Sequence, residues 1–414
     1  MRATVEIEDL APGGEGVGRC GARAVFVPFA APGDVVAVDL PGGEGPAHAS
    51  LVRVLSPGAA RSPAPCRHFG PAGDACGGCE WQHVAYGRQL AAKERTLLDT
   101  LRKVGRIEPA AGEVRPIVAS PEPFRYRSRA KFHFDRDAGR LVFFRRRSHE
   151  PVALAECHLL VPELDALREA IGPALSRARL APREVSLEWS SREGRGSAFL
   201  ALAEVTPAAR ARAGALLADV AALSGAVLGA DLSPPVTLGE PVLRHDRVPG
   251  RPEAGAQRSR PDVFQQANRG ANARLVEAAL DLLAPDGEDV LELHCGAGNF
   301  TGPLAARARS VSAVEQQGPS LDLARADLSG TNVRFFGGDA LKLAHAFARE
   351  SGPGARRFGA ALLDPPREGA KGIGAALRDL AVPRAVYVSC DPATLARDLR
   401  ACVEAGFRVA AVQA

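Results

Sequence analysis

Three groups of residues in this chain have types and spacings that can do chemistry. The first is a thiol. In VYVSCDPATLARDL, residues 386–399, an apolar run ends at Cys390, and Asp391-Pro392-Ala393 reads as the opening of a helix with Asp391 as N-cap and Pro392 at the first helical position. A thiol just ahead of a helix amino terminus is biased toward thiolate, the form that attacks carbon. The plainer reading is a packing cysteine at the end of a buried strand. In the second group, Cys66, Cys76 and Cys79 lie in CRHFGPAGDACGGC and Cys157 lies far along in AECHLL. Four thiolates suit either zinc or an iron-sulfur cluster, and the spacing does not choose between them; a reducing compartment disfavours disulfides. Cys20, Cys295 and Cys402 have no partner at ligand spacing and read as packing residues.

The third group is a series of turns. His294-Cys295-Gly296-Ala297-Gly298-Asn299 follows an apolar strand and precedes a helix, so its glycines let the backbone pass close to a ligand. It lacks the third glycine of a pyrophosphate site. Glu315 ends the next strand, where a carboxylate accepts hydrogen bonds from both hydroxyls of a ribose. Asp339 ends the third strand, where it can meet an adenine, and Asp364 in LLDPPREGA ends the fourth, ahead of two prolines that stiffen the loop over the pocket. A nucleoside cofactor without phosphates fits this series and points to S-adenosylmethionine. Arg367 stands where amino-methylating enzymes carry tyrosine, which disfavours an exocyclic amine as the target. A nucleophilic thiol beside a methyl donor suits a carbon too weak to react alone, such as pyrimidine C5. Thiolate addition at C6 makes an enolate, C5 takes the methyl group, and a base removes the C5 proton so that the thiol can leave. The target base must be unstacked to meet both groups.

The elements that position these residues follow from pattern. With 414 residues, 46% hydrophobic and 24% charged, the chain has globular composition and length for two or three domains. Residues 1–58 alternate short apolar strands with glycine turns and read as a small β-barrel. Residues 59–260 mix the cysteines, a helical stretch and strands in an α+β arrangement. Residues 261–414 alternate strand and helix throughout, the pattern of a doubly wound parallel sheet, so the predicted class is α/β with a Rossmann-like third domain. No run of about 18 apolar residues is present. The start, MRATVEIEDL, lacks a secretory layout, which places the protein in the cytoplasm with no membrane association and no obligate protein partner. Residues 1–50 carry three arginines against seven acids, whereas residues 122–150 carry nine Arg or Lys against four acids, interleaved with Phe124, Tyr126, Phe132, Phe134, Phe143 and Phe144. That stretch reads equally as a nucleic-acid surface or as a solvated strand pair with core aromatics.

VSCDPATLARDL, LLDPPREGA, LHCGAGNFTGPLA and FQQAN together resemble the RNA uridine-5-methyltransferase family, and the leading barrel and extra cysteines resemble its ribosomal RNA branch. The resemblance implies a TRAM-type barrel and a covalent adduct between Cys390 and uridine. It further implies S-adenosylmethionine contacts from Gln266, His294, Asn299, Glu315, Asp339 and Asp364, and a stacking ring at Phe264. It makes the four cysteines ligands of a [4Fe-4S] cluster and RNA the partner, ribosomal rather than transfer RNA. Several positions depart from the family pattern. Nine residues separate Cys66 from Cys76 where five are usual, Asp391 replaces Asn, and His294 replaces an aromatic ring. The chain stops at FRVAAVQA, ahead of the family's Phe-Pro-His-Thr-x-His-x-Glu segment with its general base, so a shortened last domain and slowed turnover are expected. Rival readings are a relative that binds RNA and cofactor without turnover, a transfer RNA uridine-5-methyltransferase, and an iron-sulfur redox protein; the last is disfavoured because the cysteines lie outside the cofactor domain.

Overall fold

The computed structural model describes residues 1–73, 75–231, 233–350, 354 and 356–414. The first six strands are β1 (Arg2–Leu10), β2 (Gly16–Cys20), β3 (Arg23–Val27), β4 (Val35–Asp39), β5 (Ala47–His48) and β6 (Ser50–Ser56), in sheet order β5-β3-β2-β1-β4-β6. Their period-2 pattern turns Val5, Ile7, Val25, Val27, Val36 and Val38 inward, and all six are buried. Gly18 has no room for a side chain, since a Cβ there would enter the Glu6 carbonyl of the paired strand. Asp34 ties the barrel to the segment after β6. It accepts from the backbone N–H of Ala31 (2.7 Å) and Gly58 (2.9 Å) and pairs with Arg61 at 2.6 Å. Burial alone would raise its pKa, but Arg61 and those amides hold the carboxyl below its ordinary range.

The middle of the chain begins with α1 (Tyr86–Thr100). A seven-stranded sheet comes next, built from β7 (Arg129–Asp135), β8 (Arg140–Phe144), β9 (Pro151–Val152), β10 (Glu184–Ser190), β11 (Arg195–Ala201), β12 (Leu223–Ala230) and β13 (Ser233–Gly239), in order β13-β12-β11-β10-β7-β8-β9. Helices α2 (Pro162–Arg177) and α3 (Pro207–Asp219) pack on it through Leu164, Ile171, Leu175 and Leu216. Here the basic aromatic stretch resolves: Phe132 is fully buried, Phe134 and Phe143 pack against the same core, and Phe144 stacks on His133 at 4.0 Å. Arg145 pairs with Glu150, Arg146 and Arg147 face Glu15 of the barrel, and Lys131 pairs with Glu184 at 2.8 Å. The core-aromatic reading describes these strands, and much of their charge meets carboxylates of the same chain.

A hairpin, β14 (Leu243–Val248) and β15 (Arg251–Ser259), leads into the last section. There α4 (Arg269–Leu283), β16 (Asp289–Leu293), α5 (Thr301–Ala305), β17 (Ser310–Glu315), α6 (Gly318–Asp327), β18 (Val333–Gly337), α7 (Ala340–Ala348), β19 (Ala360–Leu363), α8 (Ile373–Asp379), β20 (Ala385–Tyr387) and α9 (Pro392–Glu404) alternate as the sequence pattern predicts. The sheet runs β18-β17-β16-β19-β20 with every neighbour parallel. The chain leaves β16 toward β17 and later returns on its other side as β19, so the crevice at their carboxyl ends is the switch point where such folds bind ligands. Beyond α9, Val412 pairs with residues 113–115, its N–H donating to the Glu113 carbonyl at 2.7 Å. Among the described residues no helix is long and apolar enough to cross a membrane.

Candidate active site

Strand β16 is buried from Val290 to Leu293, Glu292 included, and it delivers the chain to a turn that only unusual backbone can make. His294 has φ +63, Gly296 φ +55 and Gly298 φ +84. At Gly296 a Cβ would stand in open space, so the turn presents bare backbone to the crevice. Glu315, at the end of β17, accepts from the Gly296 N–H at 2.9 Å and from the Gln317 N–H at 2.7 Å. Those two bonds aim its carboxylate across the turn. Burial lowers the pKa of His294, outweighing the opposing charges of Glu315 and Asp339. Asp339 is the N-cap of α7, accepting from Lys342 N–H at 2.8 Å. Burial pushes Asp364, at the end of β19, up to about 6.

Strand β20 lies beside β19, with Tyr387 opposite Leu363 and Val388 N–H bonded to the Leu363 carbonyl at 2.8 Å. Cys390 and Asp364 therefore both leave the sheet at its carboxyl end, and Cys390 is exposed. Asp391 caps α9 as its position predicts, accepting from Ala393 N–H (2.9 Å) and Thr394 N–H (2.8 Å), and these amides hold its carboxyl below the usual range. His294, Glu315, Asp339, Asp364 and Cys390 thus share one edge. Gln266 lies on the loop ahead of α4, close behind Phe264, whose ring is 75% exposed. Asn299 turns toward α4, where its amide exchanges two hydrogen bonds with Asn272 at 2.8 and 2.9 Å. It lines a cleft of about 1080 Å³ together with Arg192, Arg251, Arg274 and Trp189.

Sequence reading missed four side chains that build this site. Glu292 is fully buried one residue before the turn's approach, an acid inside an apolar strand that could have drawn attention. Arg129 donates to the carbonyls of Val263 (2.6 Å) and Pro261 (3.1 Å), holding the loop that carries Phe264 and Gln266. From the hairpin, Arg247 donates to the Gly298 carbonyl at 3.3 Å and Gln257 to the Ala297 carbonyl at 3.2 Å. Nothing local marks these three.

Away from this edge, Cys66, Cys76, Cys79 and Cys157 all line one cavity. Burial raises the pKa of Cys66 and Cys76 and pushes Cys79 up to about 11. Among the described residues no three metal-ligating side chains close around a single ion.

Comparison with known proteins shows the family and the fold. Residues 246–412 match the family described as tRNA (Uracil-5-)-methyltransferase, and residues 1–40 match the TRAM domain of tRNA (uracil(54)-C(5))-methyltransferase. The chain is 34% identical to a 23S rRNA (uracil(1939)-C(5))-methyltransferase, RlmD, of Pseudomonas putida, over 98% of this chain and 88% of that protein. It is 35% identical to the protein of that name from Alkalilimnicola ehrlichii, over 98% of this chain and 91% of the relative. The fold superimposes on Pyrococcus abyssi tRNA (uracil-54, C5)-methyltransferase, solved with S-adenosyl-L-homocysteine, with a TM-score of 0.71, 21% identity, and coverage of 97% of this chain and 93% of that one.

Proposed function

Because the chain belongs to the tRNA and rRNA uracil-5-methyltransferase family with a TRAM domain, and is an S-adenosylmethionine-dependent RNA uracil-C5-methyltransferase, we propose that it methylates a uridine of 23S rRNA through a covalent adduct on Cys390. The placement of Cys390 carries this reading: exposed, ahead of α9, in the loop after β20, the strand beside β19, which leads into Asp364. The choice of ribosomal RNA rests on near full-length similarity to relatives described as 23S rRNA enzymes.

The open backbone at Gly296 and the Glu315 carboxylate held against it form a cradle that fits the nucleoside of S-adenosylmethionine. His294 and Asp339 flank that cradle, and Gln266, Asn299 and Asp364 complete the proposed contacts. When bound, the cofactor supplies an electrophilic methyl group. Cys390 Sγ adds to uracil C6, the C5–C6 electron pair moves toward C5 and O4, and C5 attacks the methyl group, whose sulfur leaves as a neutral thioether; a base then takes the C5 proton, the C5–C6 double bond re-forms and the thiolate is expelled. Phe264 offers an exposed ring on which the unstacked uracil can rest. The arginine-lined cleft beside Asn299 has room for the flanking RNA strand.

The four cysteines are proposed as ligands of a [4Fe-4S] cluster. All four line one cavity, and four thiolates suit zinc as well as a cluster; the resemblance to the ribosomal RNA branch is what favours the cluster. Anaerobically purified protein is expected to be brown and to contain iron and acid-labile sulfide; a colourless protein with one zinc per chain overturns this assignment.

The adduct is tested with RNA containing 5-fluorouridine, whose C5 fluorine cannot leave as a proton. Wild-type protein with S-adenosylmethionine is expected to form a denaturant-stable protein–RNA adduct, and Cys390→Ala to form neither adduct nor product. A Cys390→Ala protein that still methylates uridine removes the thiol from the mechanism. Methyl incorporation into unmodified 23S rRNA, compared with tRNA, decides the substrate.

A further inference from the structure

Helix α9 does more than present Cys390. Two turns along it, Asp398 is 2% exposed, a buried carboxylate in an otherwise amphipathic helix. One of its oxygens accepts from the backbone N–H of Ala370 at 2.7 Å and from the Tyr387 hydroxyl at 2.7 Å. The other accepts from Arg397 Nε at 2.9 Å. Arg397 reaches onward and donates to the Glu368 carbonyl at 2.7 Å, while the Ala370 N–H also approaches the Tyr387 oxygen at 3.1 Å. These partners come from three separate pieces: the Pro365–Ala370 loop that begins at Asp364, the end of β20 three residues before Cys390, and α9 itself. The approach is close at residue 369, where a side chain could fit only by displacing Asp398 and Arg397. The Gly369 φ is +74, and a Cβ there would collide with the Asp398 carboxylate and the Arg397 guanidinium.

We propose that Asp398 is a positioning residue for methyl transfer, setting the distance between the Asp364 loop and the Cys390 loop. The proposal rests on the reading of Cys390 as nucleophile and deepens it. The Asp364 loop is tied at one end by β19 and at the other by Asp398. Without the second tie, the Arg397 bond to the Glu368 carbonyl is left holding the loop against α9, and the two can shift relative to each other while the sheet beneath them stays intact. Misplacement of reacting groups by about 1 Å costs on the order of 100-fold in rate. The expected signature is a fall in kcat much larger than any change in cofactor affinity, because Asp364 is one of six proposed cofactor contacts and the Gly296 and Glu315 cradle is built on β16 and β17, outside the elements Asp398 ties.

The test compares Asp398→Ala, Asp398→Asn and Tyr387→Phe in the full-length protein, with kcat expressed per site that binds S-adenosylmethionine, so that misfolded molecules do not count. Asp398→Ala is expected to lower kcat about 10- to 100-fold with the cofactor KM within about twofold. Asp398→Asn keeps an oxygen for Ala370 and Tyr387 and is expected to recover most of that loss. Tyr387→Phe, which removes one tie and no charge, is expected to lower kcat severalfold and keeps the test open if Asp398→Ala does not fold. A kcat per binding site equal to wild type in Tyr387→Phe and in whichever Asp398 variants fold overturns the proposal, because a purely structural role lowers only the number of sites. Failure of the nucleophile reading shows separately, as methylation that survives Cys390→Ala.

Discussion

At the scale of single residues, Glu292 shows how a buried acid records the chemistry around it. Burial pushes its carboxyl up to about 8, with Asp364 and Glu315 adding negative charge and Arg247 opposing them. The folded protein therefore keeps a proton between about pH 4.5 and 8 that the unfolded chain has lost, so this group's contribution to stability falls as pH rises through that window. Glu292→Gln copies the neutral acid and cannot ionise. Its melting temperature is expected to match wild type near pH 5 and to exceed it at pH 8; parallel curves would show that Glu292 ionises freely in the fold. Asp391 is the opposite case, an exposed cap whose amide donors favour its charge.

At the scale of elements, the β14–β15 hairpin is a brace for the Gly296 turn. Arg247 enters beside Gly302, which has no room for a side chain against the guanidinium, and it reaches the Gly298 carbonyl. Gln257 reaches Ala297 from the paired strand, and Arg258 grips Asp327 at the end of α6 through its backbone N–H (2.7 Å) and its guanidinium (2.8 Å). Removing a charged hydrogen bond of this kind costs about 1.5–3 kcal/mol. Arg247→Ala is accordingly expected to weaken S-adenosylmethionine binding about tenfold in calorimetric titration, and unchanged affinity would make the hairpin a spectator.

At the scale of the whole molecule, the barrel is held by charge as well as by packing. Arg61 lies against the buried Asp34, while Arg146 and Arg147 face Glu15, and Arg146 also sits 5.7 Å over the Phe29 ring. Arg61→Ala leaves the Asp34 carboxylate to two backbone amides, and breaking a buried pair costs about 3 kcal/mol. Faster proteolytic cleavage within residues 57–65 is expected, with S-adenosylmethionine binding intact. Cleavage at the wild-type rate would place the docking strength in the apolar contacts alone.

The features legible in the sequence are local ones. The Asp391 cap, the Gly296 turn, the acids at strand ends and the strand–helix alternation each depend on neighbours a few residues away, so periodicity and motif suffice to read them. Family resemblance is what proposes cofactor roles for Gln266 and Asn299, which spacing does not reveal. Which charges are used internally became visible only in the folded chain. Arg129 meets Val263 across 134 residues, Arg247 meets Gly298 across 51, and Asp398 meets Ala370 across 28. The fold likewise turns Arg146 and Arg147 toward Glu15 and puts Phe132 in the core. An arginine or an aspartate has the same composition and hydropathy whether it meets water or a distant backbone carbonyl or amide, and only the folded path of the chain distinguishes the two.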